Sequence, residues 1–141
     1  MRYNFSMSVE IKGQYKGDLR VELTHGPSQS VIETDAPKDN QGKGENFSPT
    51  DLVVAALGSC MMTIMGIVAK RDGIKLEGTH FRAEKHMIEN PRRIGKIILE
   101  IHMPFDLTDE QKKKLERAAH TCPVHQSLNA DIQQDIKFIY S

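Results

Sequence analysis

The sequence has no tryptophan, two cysteines, and no excess of charge of either sign. Each shortage excludes something. Cys60 and Cys122 are too few for a disulfide scaffold, and they form no Cys-x-x-Cys pair of the kind that marks a strong zinc site. In a reducing compartment such a pair is reactive, metal-binding or simply buried. The 19 Lys and Arg balance the 19 Asp and Glu, so no global basic field invites nucleic acid and there is no acidic tail. The opening residues, MRYNFSMSVEIKG, lack the apolar centre of a signal peptide, which makes a cytoplasmic protein the expectation. No repeat or low-complexity segment is present, and 141 residues suggest one domain, 1–141, with a modest core.

What the chain does have is one long apolar stretch, from Ser48 to Asp72. Ser48 suits an N-cap, Pro49 the first helical position, and Asp51 the third, as an acidic variant of a capping box. Asp72-Gly73 is a stop signal. Between these ends Leu52, Val53, Val54, Leu57, Met61, Met62, Ile64, Met65, Ile67 and Val68 leave no polar face, so the helix is buried in protein or membrane. A bilayer span needs ~20 apolar residues. The run Leu52–Ala69 is near that limit, carries Gly58, Ser59 and Thr63, and has no aromatic belt. A core helix is the reading taken, with no membrane partner. A chain this small can hardly cover such a helix on all sides, which points to a homodimer.

The flanking segments read as sheet. Tyr3, Phe5, Met7, Val9 and Ile11 alternate with polar residues as a first strand, followed by turn signals at Lys12-Gly13 and Lys16-Gly17-Asp18. Leu19, Val21 and Leu23 make a second strand with Arg20 on its polar face, and residues 29–34 a short third. Residues 35–47 form a long loop of the kind that is functional or mobile. After the helix, residues 74–87 and 94–103 pair as a hairpin. Thr108 and Gln111 form a capping box for a second helix, and Pro123 places Cys122 at the N-cap of a short third one. Ile136, Phe138 and Tyr140 end the chain in a strand. The order βββαββαβ is α+β.

The residues that could carry chemistry are few. Cys60 in mid-helix is, taken alone, an ordinary buried thiol. Cys122 at a helix N-terminus, with His120 and His125 nearby, is the better candidate for a stabilised thiolate. His120-x-Cys122-x-x-His125 with Cys60 could supply metal ligands, but the spacing matches no strong zinc pattern, and no metal is expected. Gly42-Lys43-Gly44 lacks the context of a phosphate loop, and Lys112-Lys113-Lys114 reads as a solvated helix face.

Two of these stretches carry a resemblance. Ser48-Pro49-Thr50-Asp51-Leu52 followed by Ala55-Ala56-Leu57-Gly58-Ser59-Cys60 resembles the central-helix signature of the OsmC/Ohr family, the osmotically inducible and organic hydroperoxide resistance proteins. Ala119-His120-Thr121-Cys122-Pro123-Val124 is similar to the family's second motif, and the likeness spans essentially the whole chain. The resemblance implies an intertwined homodimer with active sites at the subunit interface. It implies a thiol-dependent reductase of organic hydroperoxides that needs no cofactor. Cys60 would attack the peroxide and become a sulfenic acid, Cys122 would condense with it to a disulfide, and an external dithiol would reduce that disulfide. In the family an Arg held by a Glu activates the attacking thiol. Here the Glu position is Thr50, and Arg20 is the nearest candidate for the Arg, with Glu45 and Asp51 as carboxylates that could stand in. Position 50 lies ten residues from Cys60, ~15 Å along a helix, so it could act only on a partner's cysteine. The alternative reading is a non-enzymatic dimer of the same fold that binds an apolar small molecule or senses redox state through the same thiols.

Overall fold

Three antiparallel strands open the chain in the computed structural model, which describes residues 2–5, 7–104 and 106–141. They are β1 (Ile11–Gly17), β2 (Arg20–His25) and β3 (Val31–Asp35). The long helix α1 (Pro49–Asp72) follows, then β4 (His80–Ile88), β5 (Arg93–Met103), α2 (Asp109–Ala119), the short α3 (Pro123–Ser127) and β6 (Gln133–Tyr140). This is the expected α+β order. The strands form two separate three-stranded sheets, β1-β2-β3 and β4-β5-β6. The chain divides into two compact units, residues 1–52 and residues 53–141, each described by itself below.

In the first unit the β1–β2 turn sets the register. Gly17, Asp18 and Leu19 all have positive φ, and the Leu19 N–H is held by the Tyr15 hydroxyl at 3.2 Å. A turn at that point pairs Ile11 with His25 and leaves Gly13 inside the strand, opposite Leu23. The alternating stretch from Tyr3 to Val9 is therefore not the first strand, and Lys12-Gly13 is not a turn. Among the described residues, those before Ile11 belong to no strand. Their apolar side chains are exposed, with Phe5 and Met7 both at 87%. In the β2–β3 pairing Arg20 faces Asp35. The third strand starts two residues later than expected and takes in Asp35, and the loop after it contains one 3-10 turn, Lys38–Asn40. The buried residues of this unit are polar: Thr34, Asp35 and Ser48. Among the described residues, every buried apolar side chain lies at or beyond Val54.

The second unit holds that core. Val54, Leu57, Met61, Met65 and Ala69 make one stripe of α1 at helical spacing, and they pack with Ile97, Leu99, Ile101 and Met103 of β5 and with Leu115 and Ala119 of α2. By length and composition α1 could cross a membrane, with a mean hydropathy of 2.2, and a third of that window is buried. The buried stripe makes it the core helix of an α+β unit. The opposite face stays open, with Ile67 60% exposed. Strand β4 begins at His80, not at Ile74: residues 74–76 are irregular and residues 77–78 form a turn in which Gly78 has positive φ. β6 runs parallel to β5, and the connection between them carries α2 and α3. The α2 capping box is present, with the Gln111 N–H donating to Thr108 Oγ1 at 3.1 Å and the Thr108 N–H to Gln111 Oε1 at 2.9 Å.

Gly58 lets α1 approach β4. A Cβ at this position would lie 2.6 Å from ring atoms of Phe81. Gly58→Ala is therefore expected to lower stability by ~1–3 kcal/mol through overpacking, despite the better helix propensity of alanine. Urea unfolding checks this, and adding Phe81→Leu should recover part of the loss.

Candidate active site

Pro123 starts α3, so Cys122 is its N-cap and the Cys122 Sγ accepts the His125 backbone N–H at 3.4 Å. Cys60 on α1 packs against the same core that holds Cys122, close enough for the two thiols to interact. Both cysteines are free. Cys60 is half-buried, whereas Cys122 has no exposed surface.

The helix terminus does not make Cys122 the readier thiolate, contrary to the expectation from the dipole alone. Burial pushes its pKa up, the contact with Cys60 adds to that, and the His125 N–H only partly offsets them. The imidazoles are engaged elsewhere. His125 Nδ1 meets Gln134 Oε1 at 2.6 Å, and the His125 ring stands edge-on to His120, centroids 5.8 Å apart. The contact that His125 makes with the sulfur comes from its backbone. Among the described residues, no three His, Cys, Asp or Glu side chains are gathered so as to hold a metal ion.

The other predicted residues lie in the first unit. Arg20 Nε donates to Asp35 Oδ1 at 2.7 Å, and Nη2 donates to Asp35 Oδ2 at 3.1 Å and to Glu45 Oε2 at 2.8 Å. Asp35 Oδ2 also accepts the backbone N–H groups of Glu45 and Asn46, at 3.1 and 3.0 Å. Asp35 is 3% exposed. Arg20 and Glu45 thus belong to one cluster, with Asp35 at its centre. Asp51 and Thr50 belong to another. The Ser48 N–H donates to Asp51 Oδ2 at 2.9 Å, the Asp51 N–H donates to Ser48 Oγ at 3.1 Å, and Thr50 Oγ1 lies 3.2 Å from Ser48 Oγ. The acidic capping box is formed, and Asp51 serves it.

Asp35 was not among the residues expected from sequence. Its signal was the pairing register: a hairpin turning at Gly26-Pro27 sets Asp35 opposite Arg20. The hydrogen bonds from Arg20 hold the Asp35 carboxyl below the usual range against the opposing effect of burial, and the two backbone donors help. A lowered carboxyl stabilises the fold fully above its unfolded pKa, about 3.9, and loses that contribution as pH falls through its folded value. Stability is therefore expected to be insensitive to Asp35 between pH 7 and 5 and to fall below about pH 4. Asp35→Asn should remove that part of the acid slope in urea titrations.

Known proteins share this arrangement of elements. The OsmC family, described as OsmC-like protein, matches residues 42–137. The chain is similar to a solved structure from Psychrobacter arcticus, a candidate osmotic stress induced and detoxification response protein. The identity is 40%, with 98% of this chain and 99% of that one covered and a TM-score of 0.87. It is similar in fold to the organic hydroperoxide resistance protein OhrB of Bacillus subtilis, at 18% identity, with 96% and 98% covered and a TM-score of 0.66. An uncharacterized protein of Acinetobacter baylyi is 26% identical over 110 residues, 77% of each chain.

Proposed function

The chain belongs to the OsmC family, and from that premise we propose that it is a thiol-dependent reductase of organic hydroperoxides. The observation that carries this is the pairing of a partly exposed Cys60 with a fully buried Cys122 at the same core. The accessible sulfur attacks and the buried one resolves. The Cys60 thiolate bonds to the terminal oxygen of ROOH, the O–O bond breaks, and RO⁻ takes a proton and leaves as the alcohol. Cys60 is then a sulfenic acid. The Cys122 sulfur bonds to the Cys60 sulfur, its proton and the sulfenic OH leave as water, and a disulfide remains. An external dithiol transfers two electrons and two protons to restore both thiols. The apolar helix around Cys60 favours a fatty or aromatic peroxide over hydrogen peroxide. This chemistry suits a reducing compartment such as the cytoplasm.

The working form is a homodimer of a single-domain chain. The open face of α1 and a sheet without buried apolar side chains both call for a second copy. The site is composite: Cys60 and Cys122 from one protomer, with Arg20, Glu45 and Thr50 from its partner. Sedimentation is expected to show a dimer at micromolar concentration, and a stable folded monomer there would refute the assembly. The activity is tested by the loss of free thiol at Cys60 on adding one equivalent of cumene hydroperoxide, compared with hydrogen peroxide. Equal inertness toward both would reject the reductase and leave the ligand-binding dimer as the reading.

A further inference from the structure

Arginine has five N–H donors in a rigid fork. In Arg20 three of them are committed: Nε to Asp35 Oδ1, and Nη2 to Asp35 Oδ2 and Glu45 Oε2. Nη1 is not. It makes only a long ion pair with Glu33 Oε2, at 3.9 Å, beyond hydrogen-bond distance. Asp35 therefore grips one edge of the guanidinium and leaves the Nη1 end without a hydrogen bond. The grip is built into the backbone. Asp35 lies opposite Arg20 in the β2–β3 register, its own N–H donates to the Phe47 carbonyl at 3.1 Å, and its Oδ2 takes the Glu45 and Asn46 N–H groups. One buried carboxylate thus fixes both the guanidinium plane and the end of the loop that carries Glu45.

We propose that Asp35 is the positioning residue for Arg20, aiming its Nη1 end at the reacting sulfur and peroxide of the partner protomer, and so does from β3 what a glutamate at position 50 would do from the helix. This rests on the peroxide-reductase reading, because it presumes a thiolate for Arg20 to stabilise. Thr50 is no substitute, since its hydroxyl carries no charge and lies against Ser48. Bidentate geometry adds orientation to attraction, which a single contact from Glu45, itself 60% exposed, does not provide.

The sign of one measurement separates positioning from a plain charge effect. Removing a nearby carboxylate would by itself favour a thiolate and lower its pKa. If Asp35 acts through Arg20, Asp35→Asn instead frees the guanidinium and raises the thiol pKa. The experiment is stopped-flow oxidation of Cys60 by cumene hydroperoxide from pH 5 to 9, with the dimer checked by sedimentation. The expected result is a midpoint shifted upward in Asp35→Asn, a rate at pH 7 lowered about 10-fold, and no further loss on adding the change to Arg20→Met. Asp35→Glu keeps the charge but lengthens the arm, and should also shift the midpoint upward; it serves as the test should Asp35→Asn not fold. A midpoint that stays in place or moves down, or losses that add to those of Arg20→Met, would overturn the proposal. A wild-type chain whose Cys60 does not react would overturn the reductase reading itself, so the two failures are distinct.

Discussion

Cys60→Ser is expected to abolish peroxide reduction, and Cys122→Ser to stop it after one turnover. The two variants differ because the two sulfurs differ in access. Cys60 is partly exposed on α1, whereas Cys122 is sealed in the core with its pKa pushed up. Without Cys60 no sulfur is placed to meet a peroxide. Without Cys122 the first step still runs, but the sulfenic acid has no neighbour to condense with and waits for an external thiol or for over-oxidation. Rapid-mix kinetics should give one equivalent of alcohol per Cys122→Ser protomer, and mass spectrometry should show a single added oxygen on Cys60. If Cys122→Ser instead turned over like the wild type with the same dithiol, the resolving role would fail. Equal retention of activity in Cys60→Ser would place the chemistry elsewhere.

Arg20→Met should slow the first step by about 10²-fold, the scale seen when one fixed electrostatic donor is removed from a developing charge. Arg20 is held in its charged form by Asp35 first and Glu45 second, so its charge is constant across the working pH range. The loss should appear in single-turnover oxidation of Cys60 and leave reduction of the disulfide by dithiol unaffected. Thr50→Glu should raise the rate, though by less than Asp35→Asn lowers it, because Arg20 already has a bidentate carboxylate. An Arg20→Met protein with an undiminished first step would show that this chain activates its thiol without the arginine.

Much of this was legible from residues close in sequence. Ser48, Pro49 and Asp51 declare the start of α1, Thr108 and Gln111 that of α2, and Pro123 makes Cys122 a cap, because caps are satisfied within a turn. The first strand was misplaced for the opposite reason. Alternation from Tyr3 to Ile11 states a preference for pairing but names no partner, and a turn with three positive-φ residues in a row decided the register instead. Asp35 was hidden in the same way, since it reads as the first residue of a polar loop until the β2–β3 pairing is known. The meeting of Cys60 with Cys122 depends on α1 and α3 sharing one core, which local pattern does not encode. The contest between helix dipole and burial at Cys122 was decided by depth, again a property of the assembled core.

The unequal distribution of the core has a thermodynamic consequence. A sheet whose buried residues are Thr34 and Asp35, and whose apolar side chains such as Tyr15, Val31 and Ile32 are exposed, has almost no hydrophobic driving force of its own. If a second copy supplies the missing interior, the folding equilibrium of the first 52 residues carries units of concentration. Dilution would then loosen Arg20, Asp35 and Glu45 well before it reached the thiols, and activity per protomer would fade while Cys60 and Cys122 still faced each other.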